Sequence, residues 1–130
     1  MPTVVPPVTD DDNRFFWDGV KEGRLLLQRC AGCGRLRHPP GPMCPSCLSL
    51  EWEAVESPGR GTIYSWVVSH HPTEGDARPR VVVLVELAEG VRMVANLQGL
   101  DWTGVTNELP VEVFFDEIDG VALPQFRPAA

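Results

Sequence analysis

The period of the hydrophobic pattern changes along this 130-residue chain, and each period predicts a different kind of element. From residue 51 onward, apolar residues alternate with polar ones or run on without a break, which is typical of β-strands. One predicted strand covers residues 52–56, and a group of five covers residues 62–70, 80–87, 91–97, 111–116 and 121–123. Because the longer connection falls between the third and fourth strands of this group, the pattern predicts a five-stranded Greek-key barrel of the OB-fold type. The expected fold class is mainly β.

The N-terminal part predicts an arm and a short helix. Residues 1–9 contain three prolines and favour an extended arm, and a helix should run from the acids at 10–12 to a stop at Gly23. Phe15, Phe16 and Trp17 are consecutive, so on a helix they fan over roughly 200°. The helix therefore either buries one side and offers another to a partner, or lies between two parts of its own chain.

All four cysteines fall in two Cys-x-x-Cys pairs separated by ten residues: Cys30, Cys33, Cys44 and Cys47. Two such turns can close a tetrahedral four-thiolate site, and paired motifs at this range predict zinc strongly. Gly34 permits the positive φ that such a turn needs. Two disulfides are the alternative, and a thioredoxin-like redox role is weaker because no βαβ pattern surrounds either pair.

The zinc is expected to be structural. Residues 28–49 contain few large apolar side chains, and ordering them costs about 1–2 kcal/mol each in backbone entropy. Structural zinc contributes about 10–16 kcal/mol in small modules, so the metal should decide whether the segment folds. The predicted organisation is an arm and helix over residues 1–24, a zinc ribbon over 25–50 and the OB-fold domain over 51–130.

At the start of the OB-fold domain, Gly59-Arg60-Gly61 predicts a β-bulge. The alternative is a phosphate-binding loop, but such a loop needs a following helix and a lysine, which this stretch lacks.

Charge narrows the possible partners. The net charge is −7, yet residues 20–50 hold five cations against one acid, a local charge of +4 that leaves −11 for the rest. An acidic body argues against general nucleic-acid coating. The basic ribbon is compatible with binding a small phosphorylated ligand or an acidic patch on a partner. Alternatively, its arginines are simply solvated. The absence of a signal-like start and of a long apolar run predicts a cytoplasmic protein without a membrane span.

Several motifs together resemble a known family, the DUF35 proteins. They are Phe16-Trp17-Asp18-Gly19, Leu-x-Arg-Cys-x-x-Cys-Gly at 27–34, Pro-x-Cys-Pro-x-Cys at 42–47, Gly59–Trp66 and Leu123–Pro128. The match spans residues 13–128, and Leu48 departs from it where a glycine is common. The resemblance implies a rubredoxin-like zinc ribbon followed by an acyl-CoA-associated OB-fold.

Such proteins are similar to the DUF35 partner of a thiolase-like aldolase that degrades steroid side chains. The resemblance therefore implies a non-catalytic zinc subunit that binds and activates an acyl-CoA enzyme, as part of a retro-aldolase or thiolase-like complex. A hotdog-fold enoyl-CoA hydratase is the alternative partner. Single-stranded nucleic-acid binding is an alternative from another class, which the aromatic-free strands at 80–87 and 91–97 disfavour.

No catalytic set is apparent in the sequence. The three histidines are His38, His70 and His71, and the last two should point to opposite faces of a strand. Four thiolates on one zinc leave no open position for Lewis-acid chemistry. The predicted contacts with the partner or with CoA are on the helix, the ribbon and the C-terminus: Phe15, Phe16, Trp17, Arg29, Arg35, Arg37, Phe126 and Arg127.

Overall fold

A computed structural model describes residues 6–70 and 79–129 of the chain. Its elements, in order, are α1 (Arg14–Lys21), β1 (Leu25–Cys30), β2 (Leu36–Arg37), β3 (Trp52–Ser57), β4 (Arg60–Ser69), β5 (Arg80–Leu87), β6 (Arg92–Asn96), β7 (Pro110–Ile118) and β8 (Val121–Pro128). The chain is mainly β, as predicted, and forms two compact units. The first consists of Met1–Pro58 with Phe115–Pro124, and the second of Gly59–Phe114 with Gln125–Ala130. The domain boundaries proposed from the sequence stay a prediction.

Helix α1 begins differently from the prediction and ends as predicted. Asn13 is the N-cap residue and its side chain makes no capping bond. Asp10 instead accepts hydrogen bonds from the N–H groups of Asp12 and Asn13, at 2.9 and 3.0 Å, and so forms the turn before the helix. Gly23 ends the helix with φ +74°, a left-handed conformation that glycine adopts without strain.

The first unit contains a three-stranded antiparallel sheet in the order β2-β1-β3. β1 pairs with β3 along its whole length, from Leu25 opposite Ser57 to Cys30 opposite Trp52. Helix α1 packs against β1, and the buried side chains of this core include Phe16, Val20, Leu25 and Leu27. The apolar strand ahead of the first cysteine pair therefore has two roles, in the core and in positioning Cys30.

The five strands predicted from residue 62 onward form one sheet in the order β6-β5-β4-β7-β8. A single parallel bridge between Leu97 and Phe126 joins the two ends of this sheet, with Gln98 N–H donating to Phe126 O at 2.8 Å. The sheet thus meets at one point and does not form a complete closing ladder among the described residues. The five predicted strands are confirmed, and full barrel closure is not.

One local prediction about this sheet is wrong, and one strand is less buried than its apolar sequence suggests. β5 is not buried on both faces, because buried Val81, Val83 and Val85 alternate with half-buried residues. The bulge in β4 lies between Ile63 and Ser65 and not at residues 59–61. Glycine at position 61 instead lets β4 lie close to β5, since a Cβ on Gly61 would be 2.3 Å from the Glu86 carbonyl oxygen on β5.

The connection after β6 is irregular, as predicted, and contains only a short 3-10 helix at Trp102–Gly104. The predicted loop after His70 and the first five residues of the arm lie outside the described residues. Within the described residues, no helix has the length and apolar character to cross a membrane.

Candidate functional site

The two cysteine pairs sit on turns with the same backbone, which we call the first knuckle (residues 30–35) and the second knuckle (residues 44–49). In the first knuckle, Gly34 N–H donates to Cys30 O and Cys30 N–H donates to Arg35 O, both at 2.9 Å. In the second knuckle, Leu48 N–H donates to Cys44 O at 2.9 Å and Cys44 N–H donates to Ser49 O at 3.0 Å. The matching hydrogen bonds turn both pairs of sulfurs inward.

The four sulfurs form one cluster that fits a metal ion. The Sγ atoms of Cys30, Cys33, Cys44 and Cys47 all lie within 4.8 Å of one another. Sγ of Cys30 lies 3.4 Å from that of Cys47, and Sγ of Cys33 lies 3.6 Å from that of Cys44. A tetrahedral zinc ion with bonds of about 2.3 Å needs sulfurs roughly 3.8 Å apart. Four thiolates are also a donor set that suits zinc, so the cluster can hold it.

Backbone N–H groups of the knuckles stabilise the thiolate form of two cysteines, Cys30 and Cys44. The Cys33 N–H lowers the pKa of the Cys30 thiol, and the N–H groups of Cys47 and Ser46 lower the pKa of Cys44 to about 6. The Ser49 N–H lowers the pKa of Cys47, but the neighbouring sulfurs outweigh it and raise that pKa to about 11. A bound cation would relieve this repulsion between sulfurs.

A buried glutamine holds the connection between the knuckles. Gln28 is fully buried on β1; its Nε2 donates to Gly41 O and its Oε1 accepts from Gly41 N–H, both at 2.9 Å. Arg37 Nε donates to the same Oε1 at 2.6 Å, and Arg37 Nη2 donates to Gly41 O at 3.0 Å. The sequence did not single out Gln28, because its partners are set by how the connection folds back onto β1.

The ribbon arginines predicted to contact a partner or CoA already have partners of their own. Arg29 on β1 forms a salt bridge with Glu53 on β3, and half-buried Arg37 is engaged with Gln28 and Gly41. Arg35 is exposed, and its Nη1 donates to the Ser46 hydroxyl. Of the three, Arg35 is the exposed arginine without a carboxylate partner among the described residues. The contact roles stay predictions.

The helix aromatics are more buried than an open docking surface requires. Phe16 is buried; Phe15 is half-buried with its ring 4.6 Å from that of Trp52, and Trp17 is half-buried at a cleft. That cleft, about 460 Å³ within the first unit, is lined by Pro6, Pro7, Thr9, Trp17, Lys21, Glu117, Gly120, Val121 and Ala122. One aromatic of the helix is therefore internal and two stay half accessible, and their contact with a partner stays a prediction.

The two C-terminal candidates differ sharply in exposure. Phe126 is 0% exposed, so its ring belongs to the core and its prediction as a surface contact is wrong. It was misassigned because a residue beside exposed Arg127 near the end of a chain gives no sign of burial. Arg127 is exposed, lies 5.1 Å from the Phe114 ring and forms a 3.3 Å salt bridge with Glu112.

The histidines the structure describes do not lie with the sulfur cluster. The half-buried His38 ring is 5.1 Å from that of Phe16, and burial lowers the pKa of His38. His70 is exposed, 6.3 Å from the Trp102 ring. His71, predicted to face away from His70, lies outside the described residues. In the part of the chain that is described, the four cysteines are the one group arranged to hold a metal.

Comparison with known families divides the chain between two domain types. Residues 17–53 match the family described as "ChsH2, rubredoxin-like zinc ribbon domain", and residues 54–116 match "ChsH2, C-terminal OB-fold domain". The predicted zinc ribbon and OB-fold are therefore confirmed as domain types.

Two similar proteins are hydratase subunits by name. A "Probable enoyl-CoA hydratase alpha subunit" of Thermomonospora curvata is 46% identical over 95% of this chain. A "3-oxo-4,17-pregnadiene-20-carboxyl-CoA hydratase alpha subunit" of Mycobacterium tuberculosis is 42% identical over 96%. The chain covers 39% and 40% of these proteins, so it spans about two fifths of their length.

A solved structure resembles the chain over nearly its full extent. The structure titled "Ltp2-ChsH2(DUF35) aldolase" contains a chain that is 45% identical, with a TM-score of 0.89, and the match covers 95% of this chain and 99% of that one. The domain order, the sulfur cluster and this similarity agree, and the chain belongs to the DUF35 family, with the zinc ribbon and OB-fold of the ChsH2 type.

Proposed function

We propose that the chain is a zinc-stapled accessory subunit that binds and activates an acyl-CoA-processing enzyme, most specifically a thiolase-like aldolase of steroid side-chain degradation. One observation carries the proposal: the structural match at TM-score 0.89 covers 99% of a chain from a complex whose title names an aldolase and a DUF35 protein. The chain on its own is proposed to be non-catalytic, with the reacting groups on the partner.

The sulfur cluster supports a structural role for zinc. Cys30, Cys33, Cys44 and Cys47 would supply all four ligands, and such a centre has no position left for water or substrate. When bound, the ion supplies a cross-link between the two knuckles. The chain's own residues then do the rest, because the Gln28 network and the β1–β3 ladder hold the ribbon around that cross-link.

Reconstitution tests the proposal. The chain and a thiolase-like subunit such as Ltp2 are purified separately and mixed, and retro-aldol cleavage of a β-hydroxyacyl-CoA with a steroid side chain is followed by release of the ketone. We expect activity only from the mixture, together with a complex in sedimentation velocity. Full activity of the partner alone would contradict the activating role, and activity of this chain alone would contradict its non-catalytic role.

An enoyl-CoA hydratase is the second candidate partner. It is favoured by the two similar proteins whose names are hydratase alpha subunits. The same mixing experiment separates the two, with a hydratase beta-type subunit and an enoyl-CoA as substrate. Hydration that depends on this chain, with no aldolase complex, would replace the aldolase by the hydratase.

Single-stranded nucleic-acid binding has less support from the structure. Arg92 on β6, one of few cations on these strands, already lies 3.7 Å from the Tyr64 ring and 3.6 Å from Glu86. β5 and β6 contain no aromatic residue on which bases could stack. Tight, salt-dependent binding of an oligonucleotide in a polarisation assay would reverse this order of candidates.

A further inference from the structure

The second knuckle presents a leucine where the first presents a glycine. Gly34 and Leu48 occupy equivalent positions, each donating its N–H to the carbonyl of the first cysteine of its pair. Their φ angles are +77° and +64°, both in the left-handed region. Glycine adopts this region freely, whereas a side chain there is strained. Leu48 is therefore an unfavourable choice for the turn itself.

Burial within the chain does not compensate Leu48 for this strain. Its side chain is 64% exposed, so most of its apolar surface faces water. Met43, 47% exposed, and Leu50, 68% exposed, stand on either side of the same knuckle. The hydrogen bond from Cys44 N–H to Ser49 O brings their stretches of backbone side by side. We call these three residues the knuckle patch.

Building on the proposed function, we propose that the knuckle patch is an anchor by which this chain docks onto its acyl-CoA enzyme subunit. A strained residue that exposes an apolar side chain beside two others is explained by a contact outside the chain. A whole interface buries about 800 Å² per partner, more than three side chains supply, so the patch is one hot spot within a larger contact.

Charge around the patch indicates what the partner presents. Residues 31–50 contain no carboxylate, and Arg35 is the exposed cation of the segment, held beside the second knuckle by its bond to Ser46. No salt bridge of Arg35 is found among residues 6–70 and 79–129. The complementary surface is an apolar pocket with an acidic residue at the edge facing Arg35. A second copy of this chain would bring another Arg35 there, which disfavours self-association through the patch.

The test uses the full chain loaded with zinc and purified Ltp2 as the probe. Leu48→Gly removes both the side chain and the strain, and Leu48→Ala removes the side chain but keeps the strain. We expect each to raise the Kd for Ltp2 at least about tenfold. Leu48→Met keeps apolar reach and should stay within about threefold of the unaltered chain. Zinc content and thermal unfolding of each variant show whether the ribbon is intact.

Val94→Ala is the matched control, because Val94 on β6 is also 64% exposed. It should leave the Kd unchanged, and an equal loss would assign the effect to general surface hydrophobicity and overturn the anchor. An unchanged Kd for both Leu48→Gly and Leu48→Ala would also overturn it, while leaving the proposed function intact.

Failure of the unaltered chain to bind either Ltp2 or a hydratase subunit would contradict both the proposed function and the docking site. A self-association that Leu48→Gly abolishes would identify a second copy as the occupant and overturn the inference.

Discussion

The first and second knuckles compare two uses of one backbone. Both close with the same pair of hydrogen bonds and each contributes one buried and one exposed cysteine to the sulfur cluster. They differ in what stands at the left-handed position, Gly34 in one and Leu48 in the other. The comparison shows that the metal site needs the two cysteines and the backbone turn of each knuckle, and no particular side chain at the left-handed position. The residue at the left-handed position is then free to serve the surface.

Removing the metal should destabilise the ribbon more than any other change. Both knuckles should unfold, whichever of them loses its ligands. Structural zinc contributes about 10–16 kcal/mol, and each knuckle supplies half of the ligands. Chelation, Cys30→Ser and Cys44→Ser should therefore each unfold residues 28–49. Hydrogen exchange resolved by residue measures this, with Val94→Ala as a control that leaves the ribbon protected. Protection of one knuckle after loss of the other's cysteine would show that the two fold independently.

Exchanging the residue at the left-handed position of a knuckle should have the second-largest effect on the free energy of unfolding. Gly34→Leu places a side chain at φ +77° with no atom within 4 Å of its Cβ, so the cost is strain alone, about 1–2 kcal/mol. Leu48→Gly should cost nothing or stabilise by up to about 1 kcal/mol for the same reason. Denaturant unfolding of the zinc-loaded protein gives both values. If Gly34→Leu left stability unchanged, the two positions would not be equivalent.

Breaking the side-chain link between the knuckles should have a smaller effect. Ser46→Ala removes the hydroxyl to which Arg35 donates, an exposed hydrogen bond worth about 0.5–1 kcal/mol. Arg35→Ala removes the same bond and also the exposed charge. A small, equal shift of the melting temperature is therefore expected for both, and only Arg35→Ala should alter the salt dependence of partner binding. Equal salt dependence in the two variants would contradict a charge contact by Arg35.

The connection between the knuckles should add a weak dependence of stability on pH. Burial lowers the pKa of His38 below the ordinary 6.5, so the unfolded chain binds the proton more tightly than the folded chain. The stability contributed by neutral His38 is thus fully present above pH about 6.5 and is lost as pH falls from there towards the lowered pKa. Unfolding curves between pH 7.5 and roughly 5.5 should show this loss. In His38→Gln, the remaining loss of stability at low pH should come only from protonation of the metal ligands. A pH profile identical to that of the unaltered chain would exclude His38 as the source.

Much of the candidate site could be read from the sequence because its signals are local. The spacing of Cys30, Cys33, Cys44 and Cys47 and the glycine at position 34 act over a few residues, and strand periodicity does the same for β4–β8. Pairing between distant residues could not be read in this way. Arg37 meets Gln28 across nine positions and Arg29 meets Glu53 across 24, and both pairs depend on strand register. The ribbon arginines therefore looked free in the sequence and are partly engaged in the structure.

The sequence by itself predicted the four-cysteine cluster, the strands along the chain and the resemblance to the DUF35 family, since spacing, periodicity and motifs are properties of neighbouring residues. It also showed that Leu48 departs from the family pattern. Only the tertiary structure decided what that departure means. It shows that Leu48 holds a left-handed backbone and an exposed side chain at once, while Phe126, equally apolar, is fully enclosed. Exposure and strain depend on what the rest of the fold packs against a residue, which no local pattern encodes.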